Sequence, residues 1–198
     1  MPYSAEHKEQ TRSRIVESAR ILFNRHGFND VTIDTIMAEA GLTRGGFYTY
    51  FKNKDELFAE TVGSFLSGRG AQWRNEFSVT NAKSEHAMAK QMIDGYLSSQ
   101  HLGDLDGQCP LIALPSDVAR QNPAVQKSYE KLFTAMVSLF ETNLDGAESD
   151  NRKNALSIAA LCVGGMVLAR TLATETLASE VREAAHQMAN QLAAANHQ

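Results

Sequence analysis

Between Thr32 and Gly41 the stretch "TIDTIMAEAG" has room for one short helix and no more. Thr32 is an N-cap residue, able to accept from backbone N–H groups that the first turn leaves unpaired. Ile33, Ile36 and Met37 recur at helical spacing, Gly41 supplies a stop, and Thr43 can cap the next helix at once. A helix of about seven residues joined to another through a tight glycine-containing turn is the helix-turn-helix arrangement. Upstream, "TRSRIVESARILFNRHG" places Ile15, Ala19, Leu22 and Phe23 on one face, leaves Arg12, Arg14 and Arg20 elsewhere, and stops at Gly27. The pattern predicts a three-helix unit over residues 1–54.

The second helix of that motif, in "GLTRGGFYTYFKNKDEL", is odd, because Gly45 and Gly46 stand near its start. Glycine inside a helix costs roughly 1 kcal/mol relative to alanine. Bare backbone there lets a helix start approach a DNA groove closely. Arg44 can reach guanine N7 and O6 through two hydrogen bonds. Tyr48, Tyr50, Lys52 and Lys54 offer hydroxyl and ammonium donors for phosphates, the N–H groups beside Thr43 favour an anion, and base readout rests on Arg44 and Thr43 because the glycines lack side chains. Phe47 and Phe51, four apart, are expected to face inward. A plain core helix with incidental tyrosines is the competing account of the same residues.

Net charge is −4, which by itself argues against nucleic acid. Residues 1–54 hold eight Lys and Arg against six Asp and Glu, while residues 55–198 hold eleven against seventeen. The +2 and −6 sum to −4, and the asymmetry points to a DNA-facing N-terminal end.

The rest of the chain reads as helix. Lys54 to Leu57 open a helix reaching toward Phe77; "SVTNAKS" and "GDLDGQ" are loops around a helix at 85–102; Pro115 interrupts "CPLIALPSDVAR"; and Asn122-Pro123 opens a helix toward Leu144. Two last helices cover 151–174 and 178–195. The expected fold is all-α, with about nine helices: the helix-turn-helix domain at 1–54 and a larger bundle at 55–198 for effector binding and dimerisation.

The stretch "TIDTIMAEAGLTRGGFYTYFKNKDELF" resembles the DNA-binding signature of TetR-type transcriptional repressors, with Ala-Gly-Leu-Thr at 40–43 and Phe-Tyr-x-Tyr-Phe-x-Asn-Lys at 47–54. The likeness covers about residues 12–60. It implies DNA contacts at Thr32, Thr43, Arg44, Gly45, Gly46, Tyr48, Tyr50 and Lys54. Tyr50 stands where many members have His, which keeps a phosphate donor but no positive charge. The family also implies a homodimer through the last two helices, a palindromic double-stranded operator and a small-molecule effector. "NALSIAALCVGGMVLARTLA", with Gly164-Gly165, and a stripe of Val181, Ala185, Met188 and Leu192 suit that interface.

Candidate effector contacts are Phe65, Trp73, Phe77, Met88, Met92, Tyr96, Cys109, Phe133 and Met136, each also an ordinary core residue. "GQCPL" at 107–111 is similar to a stretch in TetR-type repressors that sense electrophiles or oxidants. Cys109 is therefore also a redox candidate, at the start of a helix that would lower its thiol pKa, although Asp104 and Asp106 oppose a thiolate. The alternative is a small buried hydrophobe.

An enzyme finds little support. The histidines at 7, 26, 86, 101, 186 and 197 lack zinc-binding spacing, and neither a Gly-x-Ser-x-Gly elbow nor a P-loop occurs. Cys109 with His101 is the one imaginable nucleophile and base. No metal or cofactor is expected. "MPYSAEHKEQTR" lacks a signal-peptide core, which leads us to expect a cytoplasmic protein. Ala155 to Ala169 is uncharged but short of the roughly 20 residues a bilayer needs, so no membrane partner is expected. A non-DNA helical interaction module stays open as a further reading.

Overall fold

The computed structural model describes residues 5–72, 85–144 and 147–194. Among them are ten α-helices and no strand. They are α1 (Ala5–Asp30), α2 (Ile33–Glu39), α3 (Lys54–Ser64), α4 (Glu85–Tyr96), α5 (Ser99–Gly103), α6 (Pro110–Ala113), α7 (Pro115–Ala119), α8 (Pro123–Glu141), α9 (Glu148–Thr171) and α10 (Glu175–Ala194), with a 3-10 segment Arg44–Thr49 between α2 and α3.

The chain forms two compact units, 1–67 with 105–131 and 68–104 with 132–198. The boundary expected at residue 54 falls inside the first of these. The physical reason is α3, whose Phe58 packs edge-on against Phe23 (ring centroids 4.9 Å) and beside Phe28 (4.8 Å). All three rings are buried, as are Ile15, Ala19 and Leu57, so the core of this unit lies between α1 and α3. Gly27 breaks α1 at φ 75° and ψ 175°, backbone that only glycine adopts readily.

Residues 105–131 belong to the same unit because α1 holds them. Arg25 pairs with both carboxylate oxygens of Asp106 at 2.5 and 2.6 Å. Buried Arg20 donates to the Asp106 carbonyl, and Asn24 Nδ2 donates to the Gln108 carbonyl at 2.9 Å.

In the second unit α9 and α10 pack side by side. A Cβ on Gly165 would stand 2.7 Å from Ala185 Cβ and 3.4 Å from Leu97, whereas one on Gly164 would meet nothing within 4 Å. Ile158, Cys162 and Met166 are fully buried along α9. Burial drives the Cys162 thiol far upward, which leaves it as inert packing. By length and hydropathy alone Ser149–Thr171 would suffice to span a bilayer. Ala155, Ile158, Ala159, Cys162 and Met166 of that helix are nevertheless buried inside the protein, as in the core helix of a bundle.

One further expectation is modified. The helix anticipated at 85–102 is split, because Ser98 accepts from His101 N at 3.0 Å and starts α5 afresh. Pro115 separates α6 from α7, as its position in the sequence leads one to expect. Asn122 does cap α8, its Oδ1 accepting from Ala124 N at 3.0 Å.

Candidate nucleic-acid interface

Capping builds the motif. Thr32 Oγ1 accepts from Thr35 N at 3.1 Å and starts α2; Ala40 ends it, and Gly41 turns the chain at φ 66°. Leu42 N donates to Met37 O at 2.8 Å, which closes the turn. The second helix then departs from expectation, being a 3-10 segment of six residues rather than an α-helix. Two adjacent glycines lower α-helical propensity there, and Gly46 N donates to Thr43 O at 3.0 Å in the tighter pattern. Thr43 starts this segment without a side-chain cap hydrogen bond. A segment so short has little macrodipole, so the anion argument at Thr43 loses force.

Phe47 and Phe51 anchor the segment inward, both nearly inaccessible, with ring centroids 5.7 Å apart. On the outer side Tyr48 is 60% exposed, its ring edge-on to Phe47. Thr32, Thr43, Arg44, Gly45 and Lys52 are also exposed, and Gly46 and Tyr50 are half-buried. Neither Gly45 nor Gly46 has positive φ. Among the described residues, a Cβ on Gly45 would meet nothing within 4 Å, and one on Gly46 only Met37 Cε at 3.6 Å. The chain's own fold therefore does not require glycine at either position.

Lys54 is placed differently from its expected phosphate role. Its Nζ donates to Phe28 O at 2.8 Å and Val31 O at 2.9 Å and lies 4.1 Å from the centre of the Phe28 ring. Burial lowers its pKa, against the pull of Asp55 and Asp30. Lys54 thus ties the start of α3 to the end of α1. Arg12, which sequence reasoning did not single out, is its counterpart. It donates to Tyr50 O at 2.5 Å, pairs with Glu60, and stacks 4.2 Å from the centre of Phe51. Arg44 keeps its guanidinium outside, held by Asp34 at 2.7 Å.

Residues 15–61 match the model of bacterial regulatory proteins, tetR family. The HTH-type transcriptional regulator TtgW of Pseudomonas putida, an uncharacterized protein, is 41% identical over 97 residues, covering 49% of this chain and 70% of that one. The chain belongs to the tetR family of bacterial regulatory proteins. Relatives that this chain matches carry the name of HTH-type transcriptional regulators. Other sequence relatives are matched over only 30%, 30% and 42% of their own lengths. Among solved structures, a TetR-family regulator from Cytophaga hutchinsonii superposes with a TM-score of 0.79 at 20% identity, covering 98% of each chain. The reduced form of E. coli NemR gives 0.75 at 15%, covering 91% of this chain and 95% of that one. These two likenesses show the fold.

In this TetR-family chain the expected effector residues divide between the units. Phe65 and Cys109 are buried in the first; Tyr96 and Met136 are buried, and Met88, Met92 and Phe133 half-buried, in the second. Trp73 and Phe77 lie outside the described residues. Cys109 is 2% exposed and precedes a helix of only four residues, so the thiol-activating helix start expected there is slight. Tyr129 is an addition that spacing did not reveal. Its hydroxyl donates to Leu111 O at 3.0 Å, and burial, with Cys109 nearby, pushes the phenol up to about 12.

Proposed function

We propose that this chain acts in the cytoplasm as a homodimeric, sequence-specific DNA-binding regulator, a repressor released from a palindromic operator by a small-molecule effector. The observation that carries the reading is the pair Gly45 and Gly46, bare and accessible although the fold does not need glycine there. Their bareness serves a surface outside the chain, and Arg44, Thr43, Tyr48, Tyr50 and Lys52 around them suit a DNA groove and its backbone. The partner across the dimer is a second copy. Leu156 and Leu168 on α9 and Leu177 and Met188 on α10 are each at least 40% exposed, and a second subunit would cover them. Within the expected α10 stripe, Ala185 instead faces Gly165, and Val181 and Leu192 are half-buried beside Met188.

Gly45→Val tests the reading. Thermal stability is expected to stay within about 0.5 kcal/mol, as for a surface change, while DNA affinity drops at least about tenfold, or 1.4 kcal/mol. Unchanged DNA affinity in a folded Gly45→Val protein would contradict it.

Modification of Cys109 is a second route to release, favoured by one contact: Asn24 of α1 holds the carbonyl of the adjacent Gln108. Diamide is expected to release DNA from the native protein and not from Cys109→Ser. Equal release from both would remove Cys109 from the mechanism.

A further inference from the structure

Arg44 and Asp34 stand ten residues apart, on opposite sides of the Gly41 turn, yet Arg44 Nη1 donates to Asp34 Oδ2 at 2.7 Å. Both side chains are more than half exposed, at 61% and 56%, so no burial forces them together. The elements that carry them are fixed independently. Thr32 caps α2 and shares a 2.8 Å hydroxyl contact with Thr35, and Leu42 N closes the turn onto Met37 O. Asp34 is thereby presented beside the start of the 3-10 segment, where Gly45 offers no side chain to hold Arg44 elsewhere.

We propose that Asp34 is a specificity-determining residue that positions Arg44, an inference resting on the base-reading role given to Arg44 above. A single contact through Nη1 leaves the other donors of the guanidinium fork available for a two-point contact to guanine. The carboxylate restricts the direction in which that fork points. It also cancels the Arg44 charge wherever guanine is absent, so that a non-cognate backbone gains little from Arg44. Specificity here comes from weakening the wrong complex as well as from strengthening the right one.

The test uses the full-length protein, a duplex it selects from a randomised pool, and a scrambled duplex of equal length, with Kd measured across a salt series. Asp34→Asn, which keeps shape and removes charge, is expected to tighten binding to the scrambled duplex. The slope of log K against log salt should steepen by about 0.9 per half-site, about 1.8 for the dimer, the share of one additional phosphate in each half-site. That corresponds to about 12-fold more affinity lost between 50 and 200 mM salt. The ratio of selected to scrambled affinity falls by a similar factor, and Asp34→Glu retains it. In an Arg44→Ala background, Asp34→Asn changes neither slope nor ratio. An unchanged ratio and slope in Asp34→Asn, with Arg44→Ala lowering the ratio, would overturn the role of Asp34 alone. A ratio unmoved by Arg44→Ala would instead overturn the base-reading role and this inference with it.

Discussion

Arg44→Ala is expected to cost about 1–3 kcal/mol per half-site, roughly five- to 150-fold in affinity for the selected operator. A homodimer presents the contact twice, so the loss compounds. Arg44 is the side chain at the start of the 3-10 segment that carries a two-point fork, and its neighbours Gly45 and Gly46 have nothing with which to read a base. Binding to unrelated sequence should change far less, because Asp34 already offsets the Arg44 charge. Lys52→Ala provides the contrast: an exposed ammonium on the same surface should weaken all sequences alike and flatten the salt slope by about 0.9 per half-site. Footprinting and equilibrium titration on selected and scrambled duplexes separate the two effects. Equal losses on both duplexes in Arg44→Ala would contradict the assignment.

Gly165→Ala is expected to destabilise the protein by about 1–3 kcal/mol. The added Cβ would lie 2.7 Å from Ala185 Cβ, on two helix backbones that set their own separation, and Leu97 is already in contact range. No rotamer change relieves a clash between two Cβ atoms. In a chain of 198 residues each kcal/mol lowers Tm by roughly 2–4 °C. Adding Ala185→Gly removes the opposing carbon and is expected to recover part of the loss, offset by roughly 1 kcal/mol for glycine in a helix. Gly164→Ala, whose added Cβ would meet nothing of the other described elements within 4 Å, should leave the monomer fold as stable or slightly more so. An unchanged Tm in Gly165→Ala would contradict the close packing of α9 on α10.

The motif was legible because its signals are local. Thr32, Gly41 and Asn122 act through hydrogen bonds and dihedral angles within four residues of themselves, and each does what its type implies. Phe47 and Phe51 were legible for the same reason, since helical spacing alone sends them inward. Lys54 and Arg12 were not. Their partners include backbone carbonyls of Phe28, Val31 and Tyr50, and a carbonyl leaves no mark in a sequence because every residue has one. A lysine beside a DNA-facing segment reads as a phosphate contact unless the fold shows otherwise. The clamp of Arg25, Arg20 and Asn24 on residues 106–108 spans more than 80 positions, so only the folded chain reveals that this loop belongs with α1. The 3-10 form of the second helix was half-visible: the glycines announced a weak α-helix without saying what would replace it.

With Arg12 and Lys54 engaged internally and Arg44 paired, fewer cations are available to DNA than the eight Lys and Arg of residues 1–54 suggest. The measurement that tests the central claim most directly is selection of duplexes from a randomised pool, followed by anisotropy titration of the enriched duplex across a salt series. The account predicts an inverted repeat with half-sites about one helical turn apart, roughly 34–36 Å. It also predicts binding that weakens linearly in log K with log salt, by about 0.9 per phosphate neutralised. Failure to enrich any sequence, together with binding indifferent to salt, would contradict it.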